Sequence, residues 1–415
     1  MARALGITAR TQTSSLVVAM LAAALPAMAS PPLVACPKLD RAPSVDGTLA
    51  PGEWTRASAL GPFVLLKQRG MPSLTTQAWV GYTDEGIYIA ARLFDPAPMQ
   101  IHCYATDRDG AVGADDSFHM ALRPPGGGGV IHLAVNAAGT MYDALGADAS
   151  VDFNWAAATG LTDDGWTAEL VARFEDTSAK PGDTWGMTCY RNAPRVGEKS
   201  AWSALQEGVN EPTNLGEVLF GGPPARCEVS AVDRPWFGDN NASATVYNRS
   251  AAEITVKLNA RVTGTDRRAH SFTVTKITVP ANGHKQTPVP FSVQRGGSAE
   301  VQISAQVIEG DKAITFLRTA PMPFKLPALG QALDDALSVI AEAYKVWAQL
   351  PAEARPPDSD LDLASLQARW RYLNSQNALQ QELTEEQVEA LVQRAGALEA
   401  DAASMLADLK AAGAP

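Results

Sequence analysis

Between residues 36 and 325 the chain is cut into short runs in which apolar and polar residues alternate, and Gly, Asp, Asn or Pro separates one run from the next. TQAWVGYT, GIYIAARLF, SFHMALR, VIHLAVNA, WTAELVAR and WGMTCYRN are the clearest in the first part. ASATVYNRS, EITVKLNARV, HSFTVTKITV, TPVPFSVQ and AEVQISAQVIEG continue the pattern. A period of two puts every second side chain on one face of a strand, so runs like these fold as sheets with one buried face. After Pro327 the pattern changes. Leu333, Leu337, Ile340, Tyr344 and Trp347 recur at helical spacing. PAEARPPDSD then interrupts with prolines, and Leu363, Leu366, Trp370 and Leu373 mark a second helix. A third opens on Thr384 with Gln387 three residues later, a capping box, and carries Val388, Leu391, Leu398, Met405 and Leu409 as its apolar stripe. The fold class is mainly β with an α-helical C-terminus. It comprises a β-sandwich over 36–224, a second sandwich of immunoglobulin-like architecture over 227–325, and a helical hairpin or small bundle over 328–412.

Residues 1–29 have the form of an export signal peptide, with Arg3 and Arg10, an apolar stretch from Leu16 to Leu25, and an Ala27-Met28-Ala29 cleavage site. The apolar stretch is about half of the roughly 20 residues that a spanning helix needs. The expected location is extracytoplasmic, periplasmic or secreted, with no membrane span in the mature chain. The net charge is −11. Because the leader contains arginines and no acid, the mature chain is more acidic still. Nucleic acid is excluded as a partner, since phosphates require a basic stripe. A neutral glycan is permitted, and the C-terminal helices offer a surface for a protein partner.

Cys36, Cys103, Cys189 and Cys227 form an even set, which in an exported chain predicts disulfides. Cys36 and Cys227 bracket the first sandwich and are the preferred pair. Cys103 with Cys189 is the second, the alternative being that these two stay unbonded. No CxxC or Cys/His spacing suits structural zinc.

The chain reads as non-enzymatic. It has five histidines and neither a G-x-S-x-G nor an H-E-x-x-H motif. Asp115 and Asp116 are adjacent, so in a strand they point to opposite faces and do not flank one bond. No cofactor is expected, although Asp107, Asp109 and Asp115 offer oxygen ligands for a structural calcium.

The order of motifs in the first sandwich carries a resemblance. Asp46, Gly47, Glu53 and Trp54 come first, then Asp84, Glu85, Gly86 and Tyr88 at a hairpin, where Gly86 is expected to supply a positive φ. Asp115–Asp116, the Asn136/Gly139 turn, Gly165, Trp166 and Glu169 follow, and Trp185–Gly186, Trp202 and Leu215–Gly216–Glu217 close the series. Together they resemble family 9 carbohydrate-binding modules and related β-sandwiches. The resemblance covers roughly the first half of the mature chain and implies non-catalytic glycan or polysaccharide recognition. Where that family has two clamping aromatics this chain has Gly113 and Val209; its acidic strand residue falls on His119 and its arginine on Ala134. A changed site is therefore expected on the same face, built from Asp115, Asp116, His119, Trp155, Tyr190, Arg191, Asn192 and Asn210. Trp155 is expected in a loop, and Trp54, Trp79, Trp166, Trp185 and Trp202 in the core. The alternative function is a ligand-less extracytoplasmic scaffold or protein-interaction module. Haem held by Met120 and His119 is a further reading, set aside because the two point to opposite faces of a strand.

Overall fold

The computed structural model describes residues 30–413 apart from 67–69, 127, 175–178, 204, 206–213, 233 and 265–268. The leader and Asn210 lie outside the described residues, as does Val209. Strands β1 (Leu33–Cys36), β2 (Ser58–Leu60), β3 (Val64–Leu65), β4 (Thr76–Tyr82) and β5 (Gly86–Phe94) open the chain. Next come β6 (Ser117–Arg123), β7 (Ile131–Asn136), β8 (Met141–Leu145), β9 (Trp155–Thr162) and β10 (Gly165–Arg173). Then follow β11 (Thr184–Ala193), β12 (Glu198–Ala201), β13 (Gly216–Phe220), β14 (Ala225–Val229) and β15 (Gly238–Asn248). The last strands are β16 (Ile254–Gly264), β17 (Ala269–Val279), β18 (His284–Val293), β19 (Gly297–Glu309), β20 (Lys312–Arg318) and β21 (Met322–Leu326). Three helices finish the chain: α1 (Leu329–Gln349), α2 (Ser359–Asn377) and α3 (Glu385–Ala412).

The first sandwich packs a five-stranded sheet, in the order β2-β4-β5-β10-β9, on a layer that contains β13-β11-β6-β7-β8. Period-two alternation fills the space between them. Phe118, Met120 and Leu122 of β6 meet Leu133 and Val135 of β7, Met187 and Cys189 of β11, and Ile87, Ile89, Leu93, Trp166 and Leu170 of the facing sheet. The second two-layer unit sets β14-β15-β18 against β17-β16-β19-β20, with β21 also paired to β19. One strand joins the two. β1 pairs parallel to β13 and antiparallel to β20, so one sheet runs through both units. Its side chains alternate accordingly: Val34 and Cys36 enter the first core and Ala35 the second.

That alternation corrects the disulfide expectation. All four cysteines are free. Cys36 belongs to the first core and Cys227 to the second, so their thiols point into different apolar layers. Cys189 is buried between the sheets while Cys103 lies exposed in the loop before β6. The role of Gly86 is corrected as well. Its φ is not positive; instead a Cβ there would sit 2.3 Å from the Ala172 carbonyl oxygen, so close approach of β10 is what requires glycine.

The helices follow the sequence pattern. Thr384 and Gln387 form the reciprocal capping box, and Val388, Leu391, Leu398 and Leu409 are buried. Leu333 and Ile340 of α1, with Leu366 and Leu373 of α2, join the core of the second sandwich, so the bundle is packed onto that unit. Among the described residues no helix is long and apolar enough to cross a membrane.

Candidate functional site

The expected site face is the outward side of β6, β7 and β11, and it is closed. Ser117, His119 and Asn192 are at most 4% exposed, and His132 and Tyr190 are each 9% exposed. Tyr190 stacks on His119 with ring centres 3.9 Å apart. Ser117 Oγ lies 2.7 Å from His119 Nε2, and His119 Nδ1 lies 2.9 Å from His132 Nε2. Ser117 Oγ also lies 3.0 Å from the Asp115 carbonyl, so its single hydroxyl proton has two acceptors within reach, and both ring nitrogens of His119 are engaged inside the network. Burial depresses both imidazoles, His132 to about 4 and His119 well below its usual range, with the neighbouring His132 adding to the latter. The network is a neutral, satisfied strut.

The other expected ligand residues are likewise committed to the fold. Asp115 accepts from the Ala105 N–H and from Asn136, while Asp116 accepts from the His102 N–H. Burial raises the Asp116 carboxyl. Asn192 donates to the Gly113 and Asp115 carbonyls. Arg191 is 1% exposed, donates to the Phe94 and Thr75 carbonyls, and lies 3.8 Å from Asp95 between the two sheets. Trp155 is the first residue of β9 and is buried in the core of the first sandwich, which corrects its expected place in a loop. Met120 is in that core and His119 on the opposite face, so no haem fits between them. Of the expected calcium ligands, only Asp109 enters a carboxylate cluster among the described residues, together with Asp143 and Asp152. The Arg108 guanidinium sits against all three at 2.5–3.8 Å and offsets one of their three charges.

An accessible site lies instead on the outward side of the five-stranded sheet, where it meets the second sandwich. Glu169 on β10 builds one wall. Its carboxylate accepts from the Asp46 N–H at 3.1 Å, the Gly47 N–H at 2.9 Å and Trp54 Nε1 at 3.0 Å. The 46–54 segment is thereby strapped over the sheet. Gly47 has a φ of +85°, and a Cβ there would lie 2.5 Å from the Thr159 carbonyl oxygen, so only glycine permits this approach. The motif residues Asp46, Gly47, Trp54 and Glu169 thus form one structural unit.

The strap leaves a cleft of about 580 Å³ between itself, the sheet and β14. Arg92, Thr167 and Gly160 form its floor; they are paired neighbours across β5, β10 and β9. Leu49 and Trp54 stand on the strap side, with half-buried Trp79 of β4 and Arg226 and Glu228 of β14 among the other lining groups. Arg92 is held by Asp164 at 2.7 Å. Arg226 is held by Glu228 at 3.0 Å and lies over the Tyr247 ring at 3.8 Å. Behind it, Arg249 and Arg226 both donate to the Ala57 carbonyl. Burial, with Arg226 and Arg56 nearby, lowers Arg249 to about 10. Trp79, expected in the core, has the outward phase of β4, opposite Ala78 and Val80, and packs half-buried against the outer apolar cluster that includes Leu39, Trp54 and Tyr88. Period two alone could have placed it there. The partner strand β14 had no such local signal.

No protein-family model matches this sequence, and no curated protein matches it. Among solved structures, a family 9 carbohydrate-binding module from Caldicellulosiruptor kristjanssonii in complex with cellotriose is similar at 15% identity. The match covers 46% of this chain and 94% of that chain, with a TM-score of 0.36. Its complex with glucose gives 15% identity, 46% and 95% coverage, and a TM-score of 0.36. A structure from Bacteroides uniformis, provisionally described as a carbohydrate-binding protein, gives 13% identity, 46% and 99% coverage, and a TM-score of 0.38. These matches fall on the N-terminal part of the chain, the part whose motifs resemble that family.

Proposed function

We propose that this is an exported, non-catalytic protein that binds a saccharide in the cleft between the 46–54 strap, the outer face of the five-stranded sheet and β14. The observation that carries the reading is the half-buried Trp79 indole in the same 580 Å³ space as the Arg92 and Arg226 guanidinia and the Glu228 carboxylate. A sugar ring has an apolar C–H face and a polar rim of hydroxyls. An aromatic surface beside paired donors and acceptors matches both, and the volume is within the range of small-ligand sites. The Arg–carboxylate pairs at 2.7 and 3.0 Å hold the guanidinia in place before a ligand arrives.

Calorimetric titration of the mature protein with soluble oligosaccharides tests the reading. Trp79→Ala should weaken binding about fivefold or more, the loss of on the order of 1 kcal/mol of aromatic contact. Tyr190→Phe, on the closed face, should leave affinity unchanged. Loss of binding in Tyr190→Phe with retention in Trp79→Ala would place the ligand on the other face and refute the assignment.

A further inference from the structure

Helix α2 carries apolar residues on two opposite faces. Leu363, Leu366 and Leu373 are buried, and Trp370 donates its Nε1–H to the Leu333 carbonyl at 2.9 Å, which fixes the inward side. Helical spacing gathers Leu361, Ala364, Ala368 and Tyr372 on the reverse side. Leu361 is 64% exposed and Tyr372 57%, and the two alanines between them are exposed as well. This outer stripe contains no charged residue. Packing onto α1 and α3 needs only the inner stripe, so the outer one has no role within the chain.

The charges beside the stripe are divided along its length. Asp360 and Arg371 stand about three turns apart on one flank, and Asp362 and Arg369 about two turns apart on the other. All four are exposed, with the acids at the N-terminal end and the bases toward the C-terminal end. Arg369 is bridged to Asp401 of α3 at 2.7 Å. Asp360, Asp362 and Arg371 enter no ion pair among the described residues. Asp360 and Arg371 are separated by about 16 Å along the axis, too far to pair within one helix.

We propose that the outer face of α2 is a self-association surface, packed antiparallel on α2 of a second copy of this chain. A twofold axis at the level of Leu366 sets Leu361 against the partner's Tyr372. It brings Ala364 beside the partner's Ala368, where small side chains let the backbones approach. The same axis keeps each flank on its own side, so Asp360 meets the partner's Arg371 and Asp362 meets the partner's Arg369. The surface is thus self-complementary, as a twofold contact requires. Parallel packing would set acid on acid and base on base. A membrane surface calls for basic residues along the polar flanks, and two aspartates open this helix. The net charge of −11 opposes contact between copies wherever unlike charges do not meet, and α2 is a face where they do. Its 19 residues span about 28 Å, a contact at the small end of specific interfaces, so the dimer is reversible with a micromolar dissociation constant.

Sedimentation velocity of the mature full-length chain tests this. A dimer should grow in as the concentration rises through the micromolar range. Asp360→Arg and Arg371→Glu should each weaken self-association about tenfold or more, since each turns two unlike contacts of the dimer into like ones. An equimolar mixture of these two variants should dimerise as the native chain does, because every such contact is then again between unlike charges. Ala368→Trp should abolish the dimer by holding the helices apart. Circular dichroism should show each variant folded, because all three positions are exposed. A chain that stays monomeric throughout the range overturns the proposal. A dimer that neither charge variant weakens places the contact elsewhere and overturns it too. Failure of the mixed variants to restore the dimer refutes the antiparallel register.

Discussion

Replacement of Glu169 is the sharpest test of how the motif residues act together. The side chain is fully buried on the outer face of β10 and accepts three hydrogen bonds from a segment more than a hundred positions earlier in the chain. Burial raises its carboxyl, and the donors from Trp54, Asp46 and Gly47 pull it back down. Glu169→Ala removes the acceptor and leaves two backbone N–H groups and one indole N–H unpaired. Hydrogen bonds to a charged group are worth about 1.5–3 kcal/mol each, and water reaching the loosened strap recovers part of that. A loss of about 4 kcal/mol is therefore expected. Glu169→Gln keeps one carbonyl oxygen, which serves either the two amides or the indole while its NH₂ faces the remaining donor, and about 2 kcal/mol should be lost. Urea unfolding followed by tryptophan fluorescence and circular dichroism measures both. Because residues 47–55 wall the cleft, Glu169→Ala should also weaken ligand binding without touching the ligand. A cost below 1 kcal/mol for the alanine variant would show that the strap is held by its apolar contacts, Val45 and Leu49 among them, and would refute the carboxylate as its anchor.

Two further outcomes follow from buried titratable groups. His132 is depressed in the fold to about 4 from an ordinary value near 6.5, so the unfolded chain binds more protons between these values. Stability is complete above about pH 6.5 and should fall by about 3 kcal/mol for His132 alone as the pH drops toward 4, with His119 adding in the same direction; urea midpoints unchanged between pH 7 and 4.5 would contradict the neutral pair. Burial pushes the Cys36, Cys189 and Cys227 thiols upward, whereas Cys103 is exposed. Thiol titration of the native protein should thus label Cys103 quickly and the other three only on unfolding, and fewer than four thiols in the unfolded chain would restore a disulfide.

How the local elements form was legible in the residues. Alternating runs such as GIYIAARLF specified strands and their buried faces, the shift to spacings of three and four specified helices, and Thr384 with Gln387 specified a helix start. Each of these depends on neighbours within a few positions, which is what local sequence contains. The order of Asp46, Gly47, Trp54 and Glu169 was legible too, but only as a pattern; the tertiary structure decided that it is a strap held by one carboxylate. Other decisions depended on which distant surfaces meet. Insertion of β1 between β13 and β20 sends Cys36 and Cys227 into separate cores, so bracketing a domain in sequence did not bring them together. Asp115 and Asn192, chosen from the first sandwich as ligand groups, became internal struts because backbone groups and a neighbouring amide took up their hydrogen bonds. Trp79 and Arg92 had the outward phase in their own strands, yet they line a cleft only because β14, from the next unit, closes over them. A strand's own residues determine which face is buried, and only the packing of remote parts determines which exposed face becomes a site.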